Sequence, residues 1–180
     1  MKLKRVLGWI AIATPLVAIL ALAVGYWLSD NDCSKAAVPG VPMKAIIYCD
    51  YGTADVLRLE DVEKPVPGDD ELLVRVHAAG VNPLDWHYMR GTPYLMRLSS
   101  GLRKPKDTRL GVDYAGTVEA VGRNVTRFKP GDQVFGGRSG ALAQYVVAKQ
   151  DGAVALNPAN VSFEQAGAVA IAATTALPGL

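Results

Sequence analysis

From Met43 to Lys149 the chain is cut into short runs by glycine- and proline-rich turns, and this punctuation limits its fold more than any other feature. "MKAIIYC" (43–49) and "VLRLEDV" (56–62), separated by "DYGTAD", each read as a strand, with "KPVPGDD" as the turn that follows. In "ELLVRVHAAGV" (71–81), Leu72, Val74, Val76 and Ala78 share one face while Arg75 and His77 lie on the other, the period of a half-buried strand. "DYAGTVEAVG", "DQVFGG" and "AQYVVAK" continue the pattern, with "GRNVTRFKPGD" and "GGRSGAL" as turns. Many short strands joined by tight turns predict a small barrel or sandwich rather than a parallel sheet. The character then changes. Ser162 and Gln165 form a capping-box pair that opens the helical run "SFEQAGAVAIAA", and alanine-rich sequence continues to Leu177.

The segment before the strands is of a different kind. Val6 to Leu28 carries no charged side chain and, at about 1.5 Å per residue, reaches roughly 34 Å, enough for a hydrocarbon core of ~30 Å. Trp9, Tyr26 and Trp27 sit near its ends, as interfacial rings do. Residues 1–28 therefore read as a single-pass membrane anchor, with a cleaved signal peptide ending near Ala21–Ala23 as the rival reading. Lys2, Lys4 and Arg5 before the run, and Asp30 and Asp32 after it, place the N-terminus in the cytoplasm. Residues 29–42 read as a linker.

Charge is nearly balanced, 19 Lys and Arg against 17 Asp and Glu, with no basic stripe, so a nucleic-acid partner is not expected. The 2 cysteines, Cys33 and Cys49, are too few for a disulfide framework and lie in no CxxC pair, so they read as structural or incidental.

The densest chemistry is "NPLDWHYMRG" (82–91). Asn82 and Asp85 around Pro83 make a good helix start, and Trp86 and Tyr88 read equally well as core aromatics. His77 reads as structural, while Arg97, Arg103, Lys104 and Lys106 read as a solvated loop or as an attraction for a cofactor phosphate. Catalytic zinc needs about three Cys, His or carboxylate ligands, and His87 with Asp85 supplies only two.

The blocks "VHAAGVNPLDWHYMRG", "LGVDYAGTVEAVG", "KPGDQVFG" and "VSFEQAGAVAIAATTAL", in this order, resemble the N-terminal GroES-like domain of medium-chain dehydrogenases/reductases, in their quinone oxidoreductase-like branch. The resemblance covers 43–177 and implies a mainly β GroES-like barrel with short helices over 43–160. Residues 161–180 then become the first helices of a C-terminal α/β nucleotide-binding domain, whose GxGxxG fingerprint is absent from this chain. Zinc-using members carry cysteine where Asn82 stands and His-Glu where Val112 and Asp113 stand, so the resemblance implies chemistry without zinc. The implied reaction is hydride transfer from NADP(H) or NAD(H) to a small carbonyl or quinone; alcohol dehydrogenase-like interconversion fits less well without a metal. By the same resemblance Asn82 and Thr175 face the nicotinamide, Asp85 orients its neighbours, and Tyr88 or His87 donates to the substrate oxygen. It also allows a homodimer of the complete protein. The competing expectations are a non-catalytic membrane-tethered binding module and an inactive fragment.

Overall fold

The computed structural model describes residues 15–17, 19–28, 33 and 40–179. Seven strands form two antiparallel sheets: β1 (Pro42–Tyr48) pairs with β2 (Leu57–Glu63), and a 5-stranded sheet runs in the order β6-β3-β4-β5-β7. Its members are β3 (Glu71–Gly80), β4 (Asp113–Val121), β5 (Gln133–Gly137), β6 (Tyr145–Lys149) and β7 (Val154–Leu156). β1 joins the larger body through bridges from Ala45 to Ala143 and from Ile47 to Arg109. The turn pattern predicts a small barrel or sandwich, and the mainly β body found is a half-barrel with one further short strand, β7.

The sheet closes because alternation puts apolar side chains inside. Leu72 and Val74 of β3, Tyr114 and Val118 of β4, Val134 of β5 and Val146 of β6 form one buried cluster, with Phe128 packed into it. Each large aliphatic side chain so buried stabilises the fold by about 1.5–3 kcal/mol. Strict alternation fails in β3, where Leu73 is buried as well. The register shifts between Leu73 and Val74 and again between Val76 and Ala78, so a bulge turns an outward position inward.

Among the described residues from 40 on, four short α-helices complete the body: α1 (Pro83–Arg90), α2 (Arg97–Ser100), α3 (Phe163–Ala166) and α4 (Ala170–Ala176). The run "SFEQAGAVAIAA" is not one helix. The Ser162–Gln165 capping box forms, but α3 stops at Gly167. A Cβ on Gly167 would lie 3.0 Å from the Ala78 carbonyl oxygen, so the chain presses directly on β3 there. The Ile171 N–H then donates to Asp113 Oδ1 at 2.7 Å, and α4 begins anew.

The membrane reading is corrected. Residues 15–17 and 19–28 are helical, but among the described residues no helix is long and apolar enough to cross a membrane. The end of this helix also lies on the domain: a Cβ on Gly25 would meet Leu102 at 3.3 Å, and the Arg103 guanidinium lies 5.9 Å from the rings of Tyr26 and Trp27. The single-pass anchor, the membrane as partner through 6–28 and the membrane localisation are therefore withdrawn. Residues 1–14 and 18 of the expected anchor, and the segments 29–32 and 34–39 of the expected linker, lie outside the described residues.

Cys33 and Cys49 are joined by a disulfide across 16 positions, packed with Ala45 and Ile47 on one face of β1.

Candidate active site

The site is built on the start of α1. Asn82 is its N-cap, with Pro83 at the first helical position, where a missing N–H costs nothing. Asn82 Oδ1 accepts the Leu84 N–H at 2.9 Å, and Asp85 Oδ2 accepts the Asn82 N–H at 2.8 Å, which completes a capping box. The helix ends at Gly91, whose φ of 60° is left-handed; a Cβ there would also strike the Tyr51 ring at 2.7 Å.

The same side chains reach beyond the helix. Asn82 Nδ2 donates to Asp113 Oδ2 at 2.9 Å, and the Gly111 N–H donates to Asp85 Oδ1 at 3.1 Å. Gly111 has φ 100°, and a Cβ on it would sit 2.2 Å from the Leu142 nitrogen, so only glycine brings that amide to Asp85. Asp85 and Asp113 are 2% and 1% exposed, and their oxygens are occupied by these donors and by Ile171 N–H. Burial pushes the Asp85 carboxyl above its ordinary value of 3.8; the Asn82 and Gly111 N–H groups pull it back, and nearby Asp113 adds to the rise.

Beside this network lies a cavity of about 290 Å³. Tyr48 from the end of β1 and Asp85 and Tyr88 from α1 form one wall, Ser99 and Ser100 of α2 another. Lys106, Asp107, Arg109 and Ser139 rim it. Asp107 fixes that rim by accepting Ser139 Oγ at 2.7 Å and the Arg109 N–H at 3.1 Å. Under the cavity, Tyr48, Met89 and Leu110 pack as a small core with Tyr51 and Tyr88 against it.

Asp85 and Tyr88, expected at the site, do share this cavity, and Asn82 adjoins it through Asp85. His87 and Thr175 are not among its walls. His87 Nδ1 lies 2.6 Å from the Thr92 carbonyl, so that nitrogen carries the proton and donates back into its own helix end. Thr175 stands exposed on α4. Trp86 is 47% exposed and packs edge-on to His87 at 4.9 Å, so it is not a core aromatic. Arg97 is stacked between Tyr51 and Tyr94. Tyr48, Asp107, Arg109 and Ser139 were not singled out by sequence. Tyr48 sits where β1 is apolar on both faces, which erases any period-two contrast.

Among the described residues no three His, Cys, Asp or Glu side chains come together as a metal site. The donor set at the zinc-type positions does not fit that ion: both ends of the Asn82 side-chain amide are engaged, Val112 offers no ligand atom, and Asp113 is already shared between Asn82 and Ile171.

Residues 68–158 match the family "Alcohol dehydrogenase GroES-like domain". The chain is 39% identical over 137 residues to a quinone oxidoreductase of Sus scrofa, covering 74% of this chain and 39% of that protein. It is 35% identical over 161 residues to an NADPH-dependent alkenal/one oxidoreductase, chloroplastic, of Arabidopsis thaliana, covering 83% and 40%. The structure of the quinone oxidoreductase from Coxiella burnetii superposes with a TM-score of 0.69 at 32% identity, covering 78% of this chain and 44% of that one. The chain thus spans about two fifths of the length of the curated relatives it matches. With the capped α1, the amide at position 82 and the half-barrel all coinciding with that match, the chain belongs to the medium-chain dehydrogenase/reductase superfamily, in its quinone oxidoreductase-like branch.

Proposed function

We propose that this chain forms the substrate-side wall of an NAD(P)H-dependent reductase of quinones or conjugated enones that works without catalytic zinc. The observation that carries the proposal is the cavity beside Asp85, walled in part by phenols and backed by a network in which Asn82 links the Asp85 and Asp113 carboxylates. Relatives named quinone oxidoreductase and alkenal/one oxidoreductase support the substrate class, and the latter's name supports NADPH.

A bound reduced nicotinamide supplies the hydride. Asn82 and Thr175 are the residues that face it in this reading. Asp85 keeps the Asn82 backbone and the Gly111 turn in place, so the cavity floor does not relax when the substrate enters. Tyr88, and by resemblance His87, stand near the substrate oxygen as charge develops there; of the two, Tyr88 lines the cavity. The apolar Leu110 and Val112 exclude water around the reacting carbon.

The test uses the polypeptide of the complete reading frame. Loss of NADPH absorbance with 2-cyclohexenone or a simple benzoquinone is followed before and after treatment with a strong chelator. Turnover unchanged by chelation is expected. Turnover abolished by chelation and restored by zinc would overturn the metal-free reading, and no turnover with either cofactor would overturn the reductase reading.

A further inference from the structure

The cavity holds a phenol whose ring packs in the core but whose hydroxyl has no evident structural duty. Tyr48 is 3% exposed, and its ring is locked between Met89 and Leu110. Its hydroxyl has no hydrogen-bond partner among the described residues, yet it is not sealed away as the Tyr114 hydroxyl is. It opens on the cavity instead.

The serine hydroxyls there are spoken for, which leaves the phenols of Tyr48 and Tyr88, and of these Tyr48 is the buried one. Ser99 Oγ and Ser100 Oγ donate to the Met96 carbonyl at 2.9 and 3.0 Å, and Ser139 Oγ donates to Asp107. A buried, rigidly held donor without a partner, facing an empty space, is poised for a ligand acceptor.

We propose that the Tyr48 phenol is a catalytic residue that donates a hydrogen bond to the carbonyl oxygen of the enone or quinone held in this cavity. The proposal rests on the reductase reading and names the donor within it. As hydride arrives at the conjugated carbon, negative charge moves to that oxygen, and a preorganised O–H in a dry site stabilises it. The O–H bond of Tyr48 stays intact in this role, and the proton that completes the enol comes from water. Burial, with Tyr51 and Asp107 next, pushes the Tyr48 phenol above its ordinary 10.0, which keeps it protonated and donating at all working pH values.

Tyr48→Phe keeps the ring and its packing and removes only the donor. In the polypeptide of the complete reading frame, kcat for 2-cyclohexenone should fall roughly 100-fold, the low end for one lost oxyanion donor, while KM for NADPH stays put. The second readout needs no turnover. In the infrared spectrum of carbonyl-labelled 2-cyclohexenone bound to the chain, the C=O band should lie at lower frequency with wild type and move back up with Tyr48→Phe. A kcat equal to wild type, or a band that Tyr48→Phe does not move, would overturn the proposal. Wild-type protein that shows the Tyr48-dependent band but no turnover would sink the reductase reading and leave the donor standing. No shifted band in wild type would overturn the donor outright.

Discussion

Asp85 and Asp113 are two buried carboxyls joined through one asparagine, and each does a local and a long-range job. Asp85 caps α1 and holds the Gly111 turn; Asp113 steadies the Asn82 amide and starts α4. Burial is the larger influence on Asp85, so its folded-state pKa lies above the ordinary 3.8. A raised folded value means that the protonated form favours the folded state. Its stabilising contribution is full below about 3.8 and is lost as pH rises through the higher folded value. Asp85→Asn does not titrate, so the comparison isolates this group. Urea midpoints measured from acid to neutral pH should show wild type gaining on the variant as pH falls through the window just above 3.8. A gap that moves in wild type's favour as pH rises would contradict the assignment. The cap was readable in the sequence, since Asn82-Pro83 with Asp85 three places on is a local signal. The link from Asn82 to Asp113 was not, because 31 positions separate partners that only the fold brings together.

At the scale of elements, β1 illustrates how a strand can be legible and its role hidden. Its run of apolar residues predicted a strand, and a strand it is. Its two faces then serve different ends: Ala45 and Ile47 pack on the disulfide side, while Ile46 and Tyr48 pack toward α1 and the cavity. A strand apolar on both faces gives no clue to which face holds chemistry. The cysteines behave likewise. Cys33 and Cys49 read as structural or incidental, and their pairing became visible only once the end of β1 and residue 33 were seen together. Bridging 16 positions removes loop freedom from the unfolded chain worth about 3 kcal/mol. Chemical denaturation with and without reductant, or of Cys49→Ser, should show a loss of about that size. Equal stability in both conditions would show that the bridge contributes nothing to the folded domain. The break of the C-terminal run at Gly167 is the opposite lesson. Alanine richness favoured one helix, but close contact with β3 and capture of the Ile171 amide by Asp113 overrode propensity.

For the molecule as a whole, two kinds of signal fared differently. Turn punctuation and alternation pointed to a small barrel or sandwich, because they are local rules that β5 and β6 follow; β3 breaks alternation at its bulge, and β4 is buried on both faces over 113–116. Hydropathy over 6–28 pointed to a membrane span, because a count of apolar residues is blind to the packing of Gly25, Tyr26 and Trp27 against Leu102 and Arg103. The cavity lies between these scales: its walls come from β1, α1, α2 and the loops before β4 and after β5. The account's central claim is that this carboxylate- and phenol-lined space holds a conjugated carbonyl. The direct measurement is titration of 2-cyclohexenone into the isotope-labelled 180-residue chain, followed by amide resonances. Saturable shifts centred on Tyr48, Tyr88, Gly111 and Val112 are predicted; saturable shifts confined to another surface, or none at all, would contradict it.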